Sequence, residues 1–414
     1  MNKKFVPRYL EKAITDVCFK HAKMAFVSGP RQCGKTTMAK QLLKQRRAGC
    51  YYNWDETAFR RLWTKDPKSL LQGSLGQSSA KPLLVLDEIH KARLWKRSIK
   101  GLYDTDDGEY DIIVTGSARL NVYRKGGDSL LGRYYHFRLH PFTLAELLEL
   151  TAEIKHEDLF NYLLSASSKY QPKQQQYFNL LDKFGPFPEP LFTQDHKILN
   201  LWHRGRIEKI IHEDLRDLSR LPELSQIDML VSLLPERAAN ILSLRSLSED
   251  LEVAYTTVNR WLNYLYELYY AFKIQPYFQS LPRSIKKESK FYLWDWSEIT
   301  NEAARFENII AVHLLKYCNY LSDTGAGDFQ LYYLRNRQQK EIDFLIVKDH
   351  KPWLPLEVKL HDEKLSDNWS VFMKYLSCEY AIQVVKSPNV YRIESTNFGK
   401  IIVISAGQLL SCLV

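Results

Sequence analysis

Residues 29–36 read GPRQCGKT and match the GxxxxGK[ST] pattern of a phosphate-binding loop. Glycines in such a loop let the backbone curl, so that successive N–H groups point at phosphate oxygens. Lys35 is expected to reach the β- and γ-phosphates of a nucleotide, and the Thr36 hydroxyl to hold Mg²⁺. The helix predicted to begin here adds the positive end of its dipole. The pattern therefore predicts ATP and Mg²⁺ as cofactors, with contacts from Gly29, Pro30, Arg31, Gln32, Cys33, Gly34, Lys35, Thr36 and Thr37.

A pair of acids, Asp87 and Glu88, follows an apolar run at 83–86. A buried strand here would bring Asp87 beside Thr36, where its carboxylate helps to hold Mg²⁺. Glu88 would then face the γ-phosphate and orient or deprotonate the attacking water. The alternative is that two acids merely end a strand in solvent, which the upstream phosphate loop disfavours.

The strand predicted at 111–115 ends near two polar residues, Thr115 and Ser117. Either side chain could contact the γ-phosphate or the attacking water. An ordinary capping role explains both residues nearly as well.

Arg133 is the preferred candidate for an arginine finger, which a neighbouring subunit would supply to neutralise charge on the phosphoryl group. Arg138 and Arg119 are the second choices. A solvated or locally paired arginine is an equally good explanation.

A carboxylate cluster is predicted in the last third of the chain. Glu357 and Lys359 alternate along an apolar strand and therefore share a face, Asp343 lies on another alternating run, and Glu307 opens an amphipathic helix. Asp343, Glu357 and Glu307 offer the oxygen ligands that Mg²⁺ prefers, and Lys359 could hold the attacking water or the phosphate. Close carboxylates repel one another, so a metal ion would be the natural compensation. Cleavage and mere binding both remain open.

The elements that must position these residues change in type along the chain. Residues 143–235 read as helices, and mixed strand and helix patterns return after 276. Before 143, strands alternate with helices, which predicts a parallel sheet covered on both faces, with phosphate sites at the carboxyl ends of its strands. The predicted strands are 24–28, 50–54, 83–87, 111–115 and 134–139, and the predicted helices are 35–46, 56–64 and 91–104.

Residues 236–295 predict a winged helix, with helices at 239–244, from 246 and at 258–269, then a hairpin of 271–274 with 291–294. DNA contact and packing as a lid on the ATPase core both remain open. The third helix would expose Thr256, Thr257, Asn259, Arg260 and Asn263, and the hairpin tip Arg283, Lys286, Lys287 and Lys290.

The bulk composition is that of a basic globular protein. The 414 residues include 58 Lys and Arg against 48 Asp and Glu, which gives a net charge of +10 and permits a nucleic-acid partner without requiring one. Six scattered cysteines form no CxxC pair, which excludes zinc ribbons and redox dithiols and suits a reducing compartment. The start of the chain has no apolar signal core and no run is long enough to span a membrane, so a cytoplasmic location is expected.

The chain resembles the prokaryotic AAA-like P-loop ATPases that carry a C-terminal domain of unknown function related to PD-(D/E)xK nucleases. The matching pieces are GPRQCGKTT, LLVLDEIHKA, IIVTGSARL, LLGRYYHFRLHPFTLAEL, FPEP and the C-terminal FENII, YYLRN, KEIDFLIV and LEVK. The resemblance implies an α/β protein with an AAA-like P-loop core at 1–150, a helical lid at 151–235, the winged helix at 236–295 and a nuclease-like α/β domain at 296–414.

Two functional hypotheses follow. In the first, an Mg²⁺-dependent ATPase couples its nucleotide state to a DNA-acting nuclease-like domain. In the second, an ATP-switched binding or regulatory module carries an inert nuclease-like domain and acts on protein partners. The expected partners are ATP, DNA and further copies of the chain, with no membrane.

Overall fold

The computed structural model describes residues 6–71, 81–106, 108–116, 130–150, 156–165, 170–215, 223–277, 289–361 and 364–414. The chain divides into two compact units, Met1–Pro141 and Phe142–Val414. In the described part of the chain, no helix is long and apolar enough to cross a membrane.

The first unit is built on a sheet of five parallel strands in the order β2-β3-β4-β1-β5. This confirms the predicted parallel sheet. The central strands are buried along their whole length, as apolar runs covered by helices on both faces must be. The strands are β1 Met24–Ser28, β2 Gly49–Asn53, β3 Leu83–Asp87, β4 Asp111–Thr115 and β5 Tyr134–Arg138.

Helices alternate with these strands, close to their predicted positions. Phe26 of β1 stacks on Tyr134, with ring centroids 4.2 Å apart, and also contacts Trp95, so one aromatic cluster packs a helix onto the sheet. The α-helices described in this unit are Leu10–Ala13, Lys35–Arg46, Thr57–Lys65 and Trp95–Thr105.

The first part of the second unit is helical, as the sequence predicts. Gly185 separates two of the helices with φ of +74°, and a Cβ there would lie 2.6 Å from an Asp295 carboxylate oxygen, so only glycine fits this turn. The α-helices described here are Leu144–Leu147, Leu159–Leu164, Pro172–Phe184, Pro188–Thr193, His196–Glu208 and Leu224–Leu233.

The segment that follows has the order strand, helix, helix, hairpin. The helix predicted at 239–244 is wrong, because Asn240 and Ile241 form strand β6 and the helix begins only at Leu244, after the Ser243 cap. Strand β8 pairs antiparallel with both β6 and β7. The elements are β6 Asn240–Ile241, helices Leu244–Asp250 and Tyr255–Glu267, β7 Ala271–Pro276 and β8 Lys290–Leu293.

The remaining elements mix strands and helices, as the sequence predicts for the residues after 276. Pairing of β7 with β9 joins the strands of residues 236–295 and 296–414 in one sheet of order β13-β14-β12-β11-β10-β9-β7-β8-β6. The elements are Glu302–Asp323, β9 Phe329–Arg335, β10 Glu341–Lys348, β11 Lys351–Lys359, Asn368–Leu376, β12 Tyr380–Val385, β13 Tyr391–Thr396, β14 Gly399–Ser405 and Ala406–Leu410.

Candidate functional site

The phosphate loop follows β1 and leads into the helix Lys35–Arg46. Gly29 and Gly34 have φ of +154° and +103°, in the region that side chains avoid. A Cβ on Gly29 would lie 2.1 Å from the carbonyl oxygen of Leu139. Residue 29 must therefore be glycine, because the backbone that follows β5 passes too close to leave room for a side chain.

The ammonium of Lys35 is buried against the loop itself. Its Nζ donates to the carbonyl oxygens of Gly29 at 2.9 Å and of Pro30 at 2.7 Å. The lysine charge is therefore held inside the turn whose geometry suits an anion.

Three hydroxyl groups converge on the buried carboxylate of Asp87, at the end of β3. Thr36 Oγ1 donates to Oδ2 at 2.7 Å, Tyr51 donates to the same oxygen at 2.8 Å, and Thr115 Oγ1 donates to Oδ1. Burial, followed by the charge of Asp87, raises the pKa of Tyr51, so its hydroxyl stays protonated as a donor. The structure thus joins the predicted residues Thr36, Asp87 and Thr115 and adds Tyr51.

Tyr51 could not be identified from the sequence, because its place in the site depends on the order of the strands. Tyr51 lies on β2 beside Val85 of β3, two residues before the acid. The sequence of β2 contains no motif that indicates a site residue. Its contribution becomes evident only when the strand order places β2 beside β3.

Thr115→Val is expected to lower the free energy of unfolding by about 1–3 kcal/mol, because it leaves a buried carboxylate oxygen without its donor. Urea unfolding measures the change. Thr115→Ser, which keeps the hydroxyl, is the matched control. Equal stability of Thr115→Val and the wild type would contradict the expectation.

Glu88 has a left-handed backbone with φ of +57°, and its N–H donates to the carbonyl oxygen of Thr115 at 2.9 Å. A non-glycine residue in this conformation is held there by its surroundings and is typical of functional sites. The carboxylate lies 3.6 Å from His90 Nε2 and 3.5 Å from Lys91 Nζ, while Lys91 binds Asp55 at 2.8 Å. The two distances to Glu88 are longer than a good hydrogen bond, whereas Lys91 is within hydrogen-bond distance of Asp55.

Arg8 is a second residue that the sequence analysis missed. It is buried and donates to the carbonyl oxygens of Cys33 in the phosphate loop and of His140 after β5, each at 2.5 Å. A guanidinium that joins two loops through their backbones positions the phosphate loop. No local pattern around Arg8 marks this role.

Arg133 lies at the start of β5, whereas the phosphate loop follows the end of the parallel strand β1. Five strand residues separate the two edges, or about 16 Å at about 3.3 Å per residue. Its guanidinium binds Asp104 through two contacts, at 2.6 and 3.1 Å. Arg133 is therefore locally paired and far from the loop of its own chain. Its role as a finger for another subunit stays a prediction, and Ser117 and Arg119 lie outside the described residues.

In the second unit, three carboxylates surround the ammonium of Lys290. Its Nζ lies 2.6 Å from Glu341, 2.9 Å from Glu307 and 3.3 Å from Asp343. Burial opposes the lysine charge, but the neighbouring acidic groups raise the pKa of Lys290 above its ordinary value. Lys290, predicted at the exposed hairpin tip, is instead 3% exposed and lies within the cluster.

Glu357 lies on β11, next to the β10 strand that carries Asp343. Asp343 Oδ2 accepts from the N–H of Val358 at 2.9 Å, and Glu357 Oε1 lies 2.9 Å from Lys359 Nζ. Burial, followed by the charge of Asp343, raises the pKa of Glu357 to about 7. Its other oxygen, Oε2, is buried and has no hydrogen-bond partner within the part of the chain that the structure describes.

The predicted metal ligands Asp343, Glu357 and Glu307 therefore do not fit a metal ion in this arrangement. No group of three or more His, Cys, Asp or Glu side chains among the described residues is arranged to hold one. A metal ion was predicted to compensate the carboxylates, and the structure places the ammonium of Lys290 beside Glu307 and Asp343. The catalytic roles of Asp343, Glu357 and Lys359 stay predictions.

The helix Tyr255–Glu267 presents a polar face. Trp261 and Leu265 are buried, as their helical spacing predicts. Thr256, Asn259, Arg260 and Asn263 are exposed and Thr257 is half-buried, whereas Arg283, Lys286 and Lys287 lie outside the described residues.

Comparisons with known proteins match three segments of the chain. Residues 21–148 match the family described as an AAA domain, and residues 175–304 and 303–408 match two domains of unknown function, DUF8612 and DUF4143. The first unit thus carries an AAA-type domain with a P-loop and a parallel five-stranded sheet.

The relatives that match most of the chain are distant in sequence. An uncharacterized protein of Methanocaldococcus jannaschii is 26% identical over 343 residues, which cover 73% of this chain and 71% of the relative. A second uncharacterized protein of that organism is 22% identical over 353 residues, with coverages of 82% and 76%. Among solved structures, AMPPCP-bound DnaA from Aquifex aeolicus is 17% identical and covers 62% of this chain and 86% of its own, with a TM-score of 0.26. A TM-score this low carries no conclusion.

Proposed function

We propose that the AAA-type domain binds ATP and hydrolyses it with Mg²⁺. The observation that carries this proposal is the convergence of Thr36, Thr115 and Tyr51 on the carboxylate of Asp87, next to the phosphate loop. Hydroxyl groups from a helix and two strands hold one carboxylate in place, which is the preorganisation that a metal–phosphate site needs.

The donors at this place suit Mg²⁺. Thr36 Oγ1 and Asp87 Oδ2 are hard oxygen ligands that lie 2.7 Å apart, and they would hold the ion. When bound, Mg²⁺ neutralises charge on the β- and γ-phosphate oxygens. Thr115, fixed on Asp87, keeps that carboxylate turned toward Thr36.

Lys35 and Glu88 divide the remaining chemistry. Lys35 balances the negative charge of the β- and γ-phosphates from within the loop. Glu88 accepts a proton from the attacking water, whose oxygen bonds to the γ-phosphorus while the bond to the β–γ bridging oxygen breaks. Lys91 Nζ lies 3.5 Å and His90 Nε2 3.6 Å from the Glu88 carboxylate, so both side chains border the candidate base.

We further propose that the segment 223–293 is a winged helix that contacts DNA. In support, a helix, β6, two helices and the β7–β8 hairpin follow one another, and β8 pairs with both β6 and β7. The exposed Asn259, Arg260 and Asn263 can reach base edges or phosphates, and the net charge of +10 favours a polyanion. The alternative, regulation of a protein partner, requires no DNA response.

An ATPase assay with and without double-stranded DNA tests both proposals. We expect Mg²⁺-dependent phosphate release that DNA stimulates, with stimulation that declines as salt rises because phosphate contacts release counterions. Arg260→Ala should reduce the stimulation without changing the basal rate, and the exposed Arg245→Ala is the matched control. Basal hydrolysis without any DNA response would favour the protein-partner alternative, and no phosphate release would contradict the ATPase itself.

A further inference from the structure

The carboxylate cluster of the second unit is built around a buried lysine. Lys290 comes from β8, Glu307 from the helix Glu302–Asp323, and Glu341 and Asp343 from β10, where the two-residue spacing places both on one face. The distances of 2.6–3.3 Å from Nζ to these three carboxylates are those of a tight ionic cluster. Tyr292, also on β8, donates to Glu307 at 2.8 Å and so fixes the same carboxylate.

Glu357 lies next to this cluster, and its buried Oε2 has no hydrogen-bond partner among the described residues. Phe344 of β10 pairs with Leu356 of β11, so the adjacent Asp343 and Glu357 lie side by side on neighbouring strands. Glu357 is 3% exposed, and its Oε2 has no hydrogen-bond partner among the described residues. Buried carboxylate oxygens are normally satisfied, and this unpartnered one belongs to the residue beside Asp343, which is one of the three carboxylates around Lys290.

We propose that Lys290 is the resident cation of this cluster and takes the place of a divalent metal ion, so the second unit does not perform metal-dependent cleavage of a phosphodiester. A divalent ion bound to these oxygens would lie a few ångströms from the ammonium, and the two cations would repel each other in a buried site. The ammonium is covalently part of the chain, so a metal ion would have to displace it before binding. In this cluster the lysine ammonium supplies the positive charge that a metal ion would supply in a metal site.

The proposal goes beyond ATP hydrolysis and does not depend on it, because the two activities belong to different units. It also has a converse. A neutral side chain of similar length at position 290 would take the ammonium away from Glu307, Glu341 and Asp343, leaving Glu341 only the longer contact with Arg335 at 3.5 Å. A divalent cation would then bind, since close carboxylates need a positive charge.

Calorimetric titration of the full chain with MnCl₂, without nucleotide, tests the proposal. We expect wild type and Asp343→Asn to give the same heats, and Lys290→Met to bind one additional Mn²⁺ per chain. That additional binding should disappear in Lys290→Met combined with Asp343→Asn. Lys273→Met, which removes an exposed lysine from β7 of the same hairpin, is the matched control and should behave as wild type.

Thermal unfolding gives a second readout, because an ion that binds only the folded chain raises its Tm by mass action. We expect Mn²⁺ to raise the Tm of Lys290→Met by more than it raises that of the wild type, because both share any site in the first unit. The proposal is overturned by a folded Lys290→Met that binds no additional Mn²⁺. If that variant does not fold, the wild type decides alone: a Mn²⁺ site, or metal-dependent nicking of plasmid DNA, that Asp343→Asn abolishes would overturn the proposal.

Discussion

Glu88→Gln is expected to lower the rate of ATP hydrolysis by about 10²- to 10⁴-fold while ATP binding is retained. Glutamine keeps the size of the side chain but cannot accept the proton of the attacking water. Its backbone remains held, because the N–H of residue 88 donates to the carbonyl of Thr115 and does not involve the side chain. The loss should therefore fall on kcat and leave affinity for ATP nearly unchanged.

Steady-state phosphate release and equilibrium binding of a fluorescent ATP analogue measure the two quantities separately. Glu109→Gln is the matched control, because Glu109 is exposed and precedes β4 at the opposite edge of the sheet. If Glu88→Gln hydrolysed ATP at nearly the wild-type rate, Glu88 would not be the general base. An equal loss in both variants would indicate a general effect of charge.

Lys35→Ala is expected to weaken ATP binding by about tenfold to hundredfold, which corresponds to the loss of hydrogen bonds between charged groups worth about 1.5–3 kcal/mol. The ammonium is buried and held by the carbonyls of Gly29 and Pro30, so alanine removes a charge that the loop itself positions. Hydrolysis should fall as well, because the same ammonium balances phosphate charge in the transition state.

Lys44→Ala is the control for this prediction. Lys44 is exposed near the end of the same helix, Lys35–Arg46, so its removal changes the net charge equally but not the loop. Titration with ATP at a fixed Mg²⁺ concentration compares the variants. If Lys35→Ala bound ATP as tightly as the wild type, the proposed nucleotide site would be contradicted.

Features encoded in contiguous residues could be predicted from the sequence. The phosphate loop, the burial of β3 ahead of Asp87 and the helix Lys35–Arg46 depend on local backbone needs and on the period of apolar residues. The parallel five-stranded sheet follows from the alternation of such segments. The same logic failed at 239–244, where pairing of β6 with β8 overrode a weak helical preference.

Only the tertiary structure decided which distant side chains meet. Tyr51 reaches Asp87 because β2 lies beside β3, and Arg8 reaches the phosphate loop from the start of the chain. Lys290 reaches Asp343 from 53 positions away and forms an ionic cluster with residues that the sequence predicts as metal ligands. The physical reason is that strand order and side-chain packing are set by the summed burial of whole elements. A motif specifies the chemistry that its own residues can perform, but it does not specify which charge will occupy the space beside them.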